Sequence, residues 1–287
     1  MERRKKIAHE LLRGIQRKYL KDATPPLAVF NLDFIGTNIF INGFYEKSEL
    51  KCIERFILPN LRHRHLFIDV GANVGNHSAF LAPYFDKILS FEPNPRVLKL
   101  LEANAMLFEN IDAIPFGLSN KTISATASYD IENIGRASVN KSSTGRHKTD
   151  FELKKLDEVL NLSQKASVSL IKLDIEGHEK EALEGAVETL KHSSPVVLLE
   201  ANHSEIFNGT TKAKRLLEDY GYEFFYYLQE SKIFLDKSLK FSKILNAFSI
   251  LFFGRKILGH FTPKRIYGDL SSEGHNMIVA SKFEFTV

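Results

Sequence analysis

A chain of 287 residues with a single cysteine, Cys52, has no intrachain disulfide framework, and that fits a reducing compartment. It also lacks any apolar run of membrane-spanning length. No signal-peptide hydrophobic region stands at its N-terminus. Charge of one sign is scarce in excess. The net charge of +4 demands neither nucleic acid nor a membrane as partner, and no aromatic-lined basic track is present. The sequence therefore reads as cytoplasmic, with 44% hydrophobic residues supplying a core for one large α/β domain with appendages.

One glycine pattern is present and incomplete in an informative way. The apolar run Leu66–Val70 predicts a buried strand that breaks into Asp69-Val70-Gly71-Ala72-Asn73-Val74-Gly75 before a helical pattern over 74–84. Gly71 and Gly75 permit a tight turn and close approach of a ligand to the main chain. A second strand, 87–91, ends at Glu92, and Pro93 and Pro95 stiffen the turn that follows. A carboxylate about 20 residues past the glycines is placed to accept hydrogen bonds from ribose hydroxyls. A dinucleotide fingerprint needs glycines where this chain has Asn73 and Asn76, which crowd a pyrophosphate. An acid at Asp69 suits a cationic or amino-bearing ligand. The prediction is a nucleoside site, and S-adenosylmethionine has the matching chemistry.

The second informative stretch is Leu170-Ile171-Lys172-Leu173-Asp174-Ile175-Glu176-Gly177-His178-Glu179, a buried strand running into acids, a glycine and a histidine. Asp174 and Glu176 fall at the carboxyl end of the strand, the crevice where open parallel sheets bind ligands. His178 is four residues beyond Asp174, and a carboxylate can orient it as a general base. The next strand, 195–199, ends at Glu200, followed by Asn202 and His203. Asp174, Glu200 and Asn202 are candidate ligands for a divalent cation such as Mg, and equally a hydrogen-bonding cluster.

The remainder is plainer. Residues 2–21 form a basic amphipathic helix, an accessory element or a peripheral contact with an anionic inner-membrane surface or a second copy. The stretch 27–44 reads as extended, with a turn at Asn42-Gly43. A helix over 46–58 leaves Tyr45 and Glu46 near its start as candidates to face the pocket. Residues 119–149 read as hairpin strands or a loop over the site. Phe241, Ile244, Leu245, Phe248, Leu251 and Phe252 make a helical stripe inside an insert spanning about 236–270. The organisation expected is an N-terminal segment 1–45 and a main domain 46–287.

Phe67–Gly75, Phe91–Pro95, Ile171–Glu179 and Leu183-Glu184-Gly185-Ala186, in this order and spacing, resemble the FkbM-type methyltransferases over about residues 43–202. The Asp-x-Glu-Gly-His-Glu block is the specific part. The resemblance implies a class I methyltransferase fold, an α/β Rossmann-like architecture whose seven-stranded, mostly parallel sheet has helices on both faces and an antiparallel final strand. It implies S-adenosylmethionine as donor, S-adenosylhomocysteine as product and O-methylation of a carbohydrate or small-molecule hydroxyl. By position, Asp69, Gly71, Asn73 and Gly75 line the methionine part, Glu92 binds the ribose, and Ala72, Asn76 and Pro93 adjoin them. His178, Asp174 and Glu176 are then the candidate catalytic residues, with Glu46, Glu179, Glu200 and His203 toward the acceptor. A nicotinamide-dependent oxidoreductase and a non-catalytic nucleoside-binding module are the competing classes.

Overall fold

The computed structural model describes residues 2–21, 24–31, 33–129, 147–231, 260–271 and 275–286. The chain divides into two compact units, residues 1–47 with 63–195, and residues 48–62 with 196–287.

The first unit is built on parallel strands. β1 (Leu66–Val70), β2 (Lys87–Phe91), β3 (Ile111–Ile114) and β7 (Val168–Leu173) lie in the order β7-β1-β2-β3, every pair parallel. β1 and β7 are buried at every residue, which is why both read as near-continuous apolar runs and not as alternating ones. Asp69, Ser169 and Lys172 are the polar exceptions, and the register sets Asp69 and Lys172 side by side, with Ser90 of β2 on the other flank of Asp69. A second, three-stranded sheet holds β4 (Gly117–Leu118), β5 (Ile123–Tyr129) and β6 (His147–Lys154), with β5 and β6 antiparallel as expected of a hairpin. The stretch 130–146 lies outside the described residues.

The helices of this unit follow the expected pattern with two exceptions, and α6 (Leu156–Val159) and α7 (Leu162–Ser167) fall where no helix was read. α1 (Glu2–Lys21), α4 (Asn76–Leu81) and α5 (Pro95–Ala105) fall where their patterns predict. Residues 27–44, read as extended, instead contain α2 (Phe34–Asn42). Its β-branched and aromatic residues disguise it, but Asp33 caps the start by accepting from the Gly36 N–H. Gly43, at φ 85°, terminates the helix, so the Asn42-Gly43 signal marks a helix end and not a hairpin. Leu27, Val29, Phe30, Ile35 and Ile39 pack with Val74 and Val97, joining this segment to the glycine loop and α5 in one core. The single helix expected after His178 is two, α8 (Glu179–Glu184) and α9 (Val187–His192), interrupted at Gly185.

The second unit carries β8 (Val196–Ala201), β9 (Phe224–Ser231), β10 (His260–Arg265) and β11 (His275–Ser281) in the order β10-β9-β11-β8, all antiparallel. β11 is the antiparallel final strand expected of the fold. β10 is a strand beyond the seven expected, and it falls within the insert expected to be helical; the apolar stripe 241–252 lies outside the described residues. α10 (Lys212–Asp219) is capped by Thr211, whose hydroxyl accepts from the Lys214 N–H. α3 (Lys47–Cys52) runs on through a π turn, Ile53–Ile57, and a 3₁₀ turn at Pro59. Cys52 is buried here as a free thiol, with burial first and Glu49 second pushing its pKa up to about 12. Among the described residues no helix is long and apolar enough to cross a membrane.

Candidate functional site

The glycine loop takes its shape from contacts that only glycine allows. Gly71 stands at φ 76°, and a first side-chain carbon there would lie 2.0 Å from the Asp174 carbonyl oxygen. The Asp174 N–H donates to the Val70 carbonyl, so the end of β7 is fastened against the loop after β1. Gly75, at φ 83°, begins α4 with Leu101 close behind it. Gly71 and Ala72 both donate to the Phe91 carbonyl, which closes the loop onto β2. The two stretches singled out in the sequence thus meet at one edge of the parallel sheet.

Glu92 sits at that edge, buried, one carboxylate oxygen accepting from the Asn73 N–H at 3.0 Å and the other from the Asn94 N–H at 2.8 Å. Burial pushes its carboxyl up to about 7 although both N–H groups oppose the shift; Asp69 and Asp174 add to it. Each oxygen retains a lone pair, so ribose hydroxyls can still be accepted. Pro93 packs where a Gly117 side chain would point.

Asp69 and Asn76 have different surroundings from those expected. Asp69 is fully buried; one oxygen accepts from the Ser78 hydroxyl at 2.6 Å, and the cation its other oxygen faces is Lys172, at 3.8 Å. Burial raises its carboxyl, with Lys172 and then Ser78 opposing. Both ends of the Asn76 amide are taken by the Tyr45 main chain, at 2.9 and 3.0 Å, so Asn76 fixes the approach to Glu46. Glu46 stands at φ 52°, its carboxylate 3.9 Å from His77 Nε2. His77 is buried with that nitrogen unpartnered, and its pKa is lowered by burial first and by Lys172 second.

The Asp174–Glu179 block is a compact loop. Glu179 is buried and accepts from the Ile175 and Gly177 N–H groups, each at 3.2 Å, so it supports the loop from within. Glu176 and Gly177 take positive φ to make the turn. Asp174 stands 43% exposed, one oxygen 3.0 Å from Lys172 Nζ. Lys172 is buried; burial works against its charge, but Asp174 and Asp69 hold the ammonium protonated. His178 Nε2 lies 3.0 Å from the Ser119 hydroxyl and Nδ1 3.7 Å from Glu181, and burial lowers its pKa, so the ring is neutral at neutral pH.

Lys172, His77, Ser78, Ser90 and Ser119 were not singled out in the sequence. Lys172 and Ser90 become visible once β1 is aligned with its two neighbours; Ser119 carries no local signal, since it meets His178 from 59 residues away. Glu200, Asn202 and His203 lie in the second unit, at β8 and the short 3₁₀ turn after it. Among the described residues no group of three or more His, Cys, Asp or Glu is arranged to hold a metal ion.

The fold and the site together define a class I methyltransferase: parallel strands, a glycine loop appressed to the next crossover, and an acid closing β2. The family model described as "Methyltransferase FkbM domain" matches residues 69–224, more than half of the chain, and the protein belongs to that family. The cofactor that this family implies is S-adenosylmethionine. The cradle fits it: Gly71 and Gly75 leave the main chain open, and Glu92 keeps acceptor capacity for the ribose.

Among similar proteins, hexuronic acid methyltransferase AglP of Haloferax volcanii is 26% identical over 145 residues, covering 50% of this chain and 59% of AglP. Less than two thirds of that relative's length is therefore matched. Methyltransferase sdnD of Sordaria araneosa is 26% identical over 224 residues, covering 66% of this chain and 82% of sdnD. A crystal structure of a methyltransferase FkbM from Methylobacillus flagellatus KT aligns over 64% of this chain and 48% of that one, at 17% identity and a TM-score of 0.36.

Proposed function

We propose that the protein is an O-methyltransferase acting on a sugar hydroxyl of a glycan or of a lipid-linked or nucleotide-linked saccharide. The observation that carries the O-methylation is His178, a neutral imidazole held by Ser119 within the Asp174–Glu179 block. An alcohol is a poor nucleophile at neutral pH, and a neutral histidine is the group that can accept its proton. The sugar is supported by the similarity to AglP, a hexuronic acid methyltransferase.

S-adenosylmethionine supplies an already activated methyl group, so the work left to the protein is alignment and proton removal. Glu92 takes the ribose hydroxyls, and the loop from Gly71 to Gly75 takes the methionine part. Asp174, fixed by Lys172, offers its exposed oxygen to the acceptor hydroxyl, and His178 receives the proton. Of the candidate cation ligands Asp174, Glu200 and Asn202, Asp174 is engaged by the Lys172 ammonium at 3.0 Å.

The test is incubation with radiolabelled S-adenosylmethionine and a panel of uronic acid and neutral hexose glycosides in the presence of EDTA, followed by mass spectrometry and methylation mapping. An O-methyl uronate is the expected product; label on nitrogen or carbon would refute O-methylation. On the acceptor so found, His178→Ala should lower kcat by roughly 10²- to 10⁴-fold with donor Kd unchanged, and unaltered turnover would remove His178 from the mechanism.

A further inference from the structure

Two helices keep apolar side chains in water after the core has closed. α2 packs Ile35 and Ile39 with Val74 and Val97, but Phe34, Phe40 and Ile41 stay exposed, Phe34 at 70% and Ile41 at 50%. The helix contains no charged residue. Every described side chain of α1 is exposed, Ile7, Leu11 and Leu12 included. At Gly14 of the same helix, a first side-chain carbon would meet nothing within 4 Å. Half of the exposed large apolar side chains among the described residues lie on these two helices. Both helices fall outside the family match at residues 69–224, so they are additions to its machinery.

α1 also gathers charge. Eight of its residues are Lys or Arg and two are Glu, an excess greater than the +4 of the whole chain. Ile7 and Leu11 stand four apart, and Ile15 and Tyr19 continue that spacing in the sequence, which is the pattern of an amphipathic helix. Such a helix takes most of its stability from packing its apolar face, and α1 packs none of its described side chains.

Charge and apolar exposure together select the occupant. A second copy would set the same cations against the first. A nucleic acid would neutralise the cations and leave Ile7, Leu11 and Leu12 in water. An anionic bilayer satisfies both, with phosphates for the cations and an acyl boundary for the apolar face. We propose that α1 lies flat on an anionic lipid surface, with the exposed residues of α2 as a second anchor. This docking is independent of which hydroxyl the enzyme methylates. Each Lys or Arg near such a surface contributes about fivefold in affinity. Salt screens that contribution and leaves the apolar one.

Co-sedimentation of the full chain with vesicles tests this, using phosphatidylcholine alone and equal parts of phosphatidylcholine and phosphatidylglycerol. The protein should bind the anionic vesicles more than about tenfold more tightly. Lys5→Ala combined with Lys6→Ala should weaken that binding roughly 25-fold. Leu11→Ser and Ile41→Ser should each weaken it about tenfold, all with the wild-type denaturation midpoint. The chain has no tryptophan, so Leu11→Trp introduces a single indole whose emission should shift to the blue on anionic vesicles. Equal binding to both vesicles, or none by the folded wild type, overturns the proposal. So does a loss confined to the lysine variant with an unshifted indole, which is adsorption by charge alone. A dimer seen without vesicles by sedimentation velocity, and dissolved by Leu11→Ser, would assign the face to a second copy and overturn it equally.

Discussion

Glu92 works against stability in order to be ready for its ligand. Its carboxyl is raised from the ordinary range to about 7 by burial. A carboxyl with a raised folded-state pKa binds more protons folded than unfolded between the two values, so its contribution is complete below about pH 4.5 and is lost as the pH rises through about 7. The apo protein should lose up to roughly 3 kcal/mol of stability over that window, read by urea denaturation at pH 5 and 8 against Glu92→Ala. Donor binding runs the other way, since ribose hydroxyls donate to the ionised form. Affinity should improve about tenfold from pH 6 to pH 8, and calorimetry of Glu92→Ala should show weak binding with no such slope. Much of this residue-scale logic was legible: the loop glycines, Glu92 and the Asp174–Glu179 block were all visible in order. The roles of Asp69 and Glu179 were not, because burial and long-range partners decide whether an acid faces a ligand or the protein's own Lys172 and main chain.

At the scale of the element, the break between α8 and α9 has a specific cause. A first side-chain carbon at Gly185 would stand 2.0 Å from the Ser119 carbonyl oxygen, so the helix surface must yield there to the chain entering β5. Gly185→Ala should cost about 1–3 kcal/mol, measured as a shift in denaturant midpoint. Because Ser119 packs against His178, a displacement that admits water to the ring should raise the histidine's pKa toward its ordinary value, read by NMR titration. The sequence shows Gly185 inside a helical pattern, where a glycine is permitted but unexplained. The misreading of α2 has the opposite origin. Its Ile, Thr and Phe residues favour extended chain locally, and packing of Ile35 and Ile39 on Val74 and Val97 overrides that preference.

For the whole molecule, the two units divide the labour unevenly. Every loop and side chain assigned above to the donor belongs to the unit made of residues 1–47 and 63–195. α1 belongs to the same unit by sequence, yet Ile7 and Leu11 are 55% and 65% exposed. Leu11→Ser should therefore change stability by no more than about 0.5 kcal/mol and leave donor affinity unaltered; a large loss in thermal denaturation would show that α1 is buried on the domain. The basic helical pattern of α1 was readable from the sequence, but which neighbour it serves was not, because spacing reports a face and never its occupant.

The row of Lys172, Asp69 and Ser90 has a further consequence during folding. Side chains alternate across a strand, so a one-residue slip of β7 against β1 would turn Lys172 to the opposite face. Asp69 would then be enclosed with no cation within reach, at a cost of several kcal/mol. Neighbouring apolar residues could tolerate the slip, since Leu170, Ile171 and Leu173 are interchangeable in character. The ion pair therefore acts as a proofreader of strand alignment: a mispaired sheet cannot close over it, and the glycine loop meets Asp174 only in chains that have passed the check.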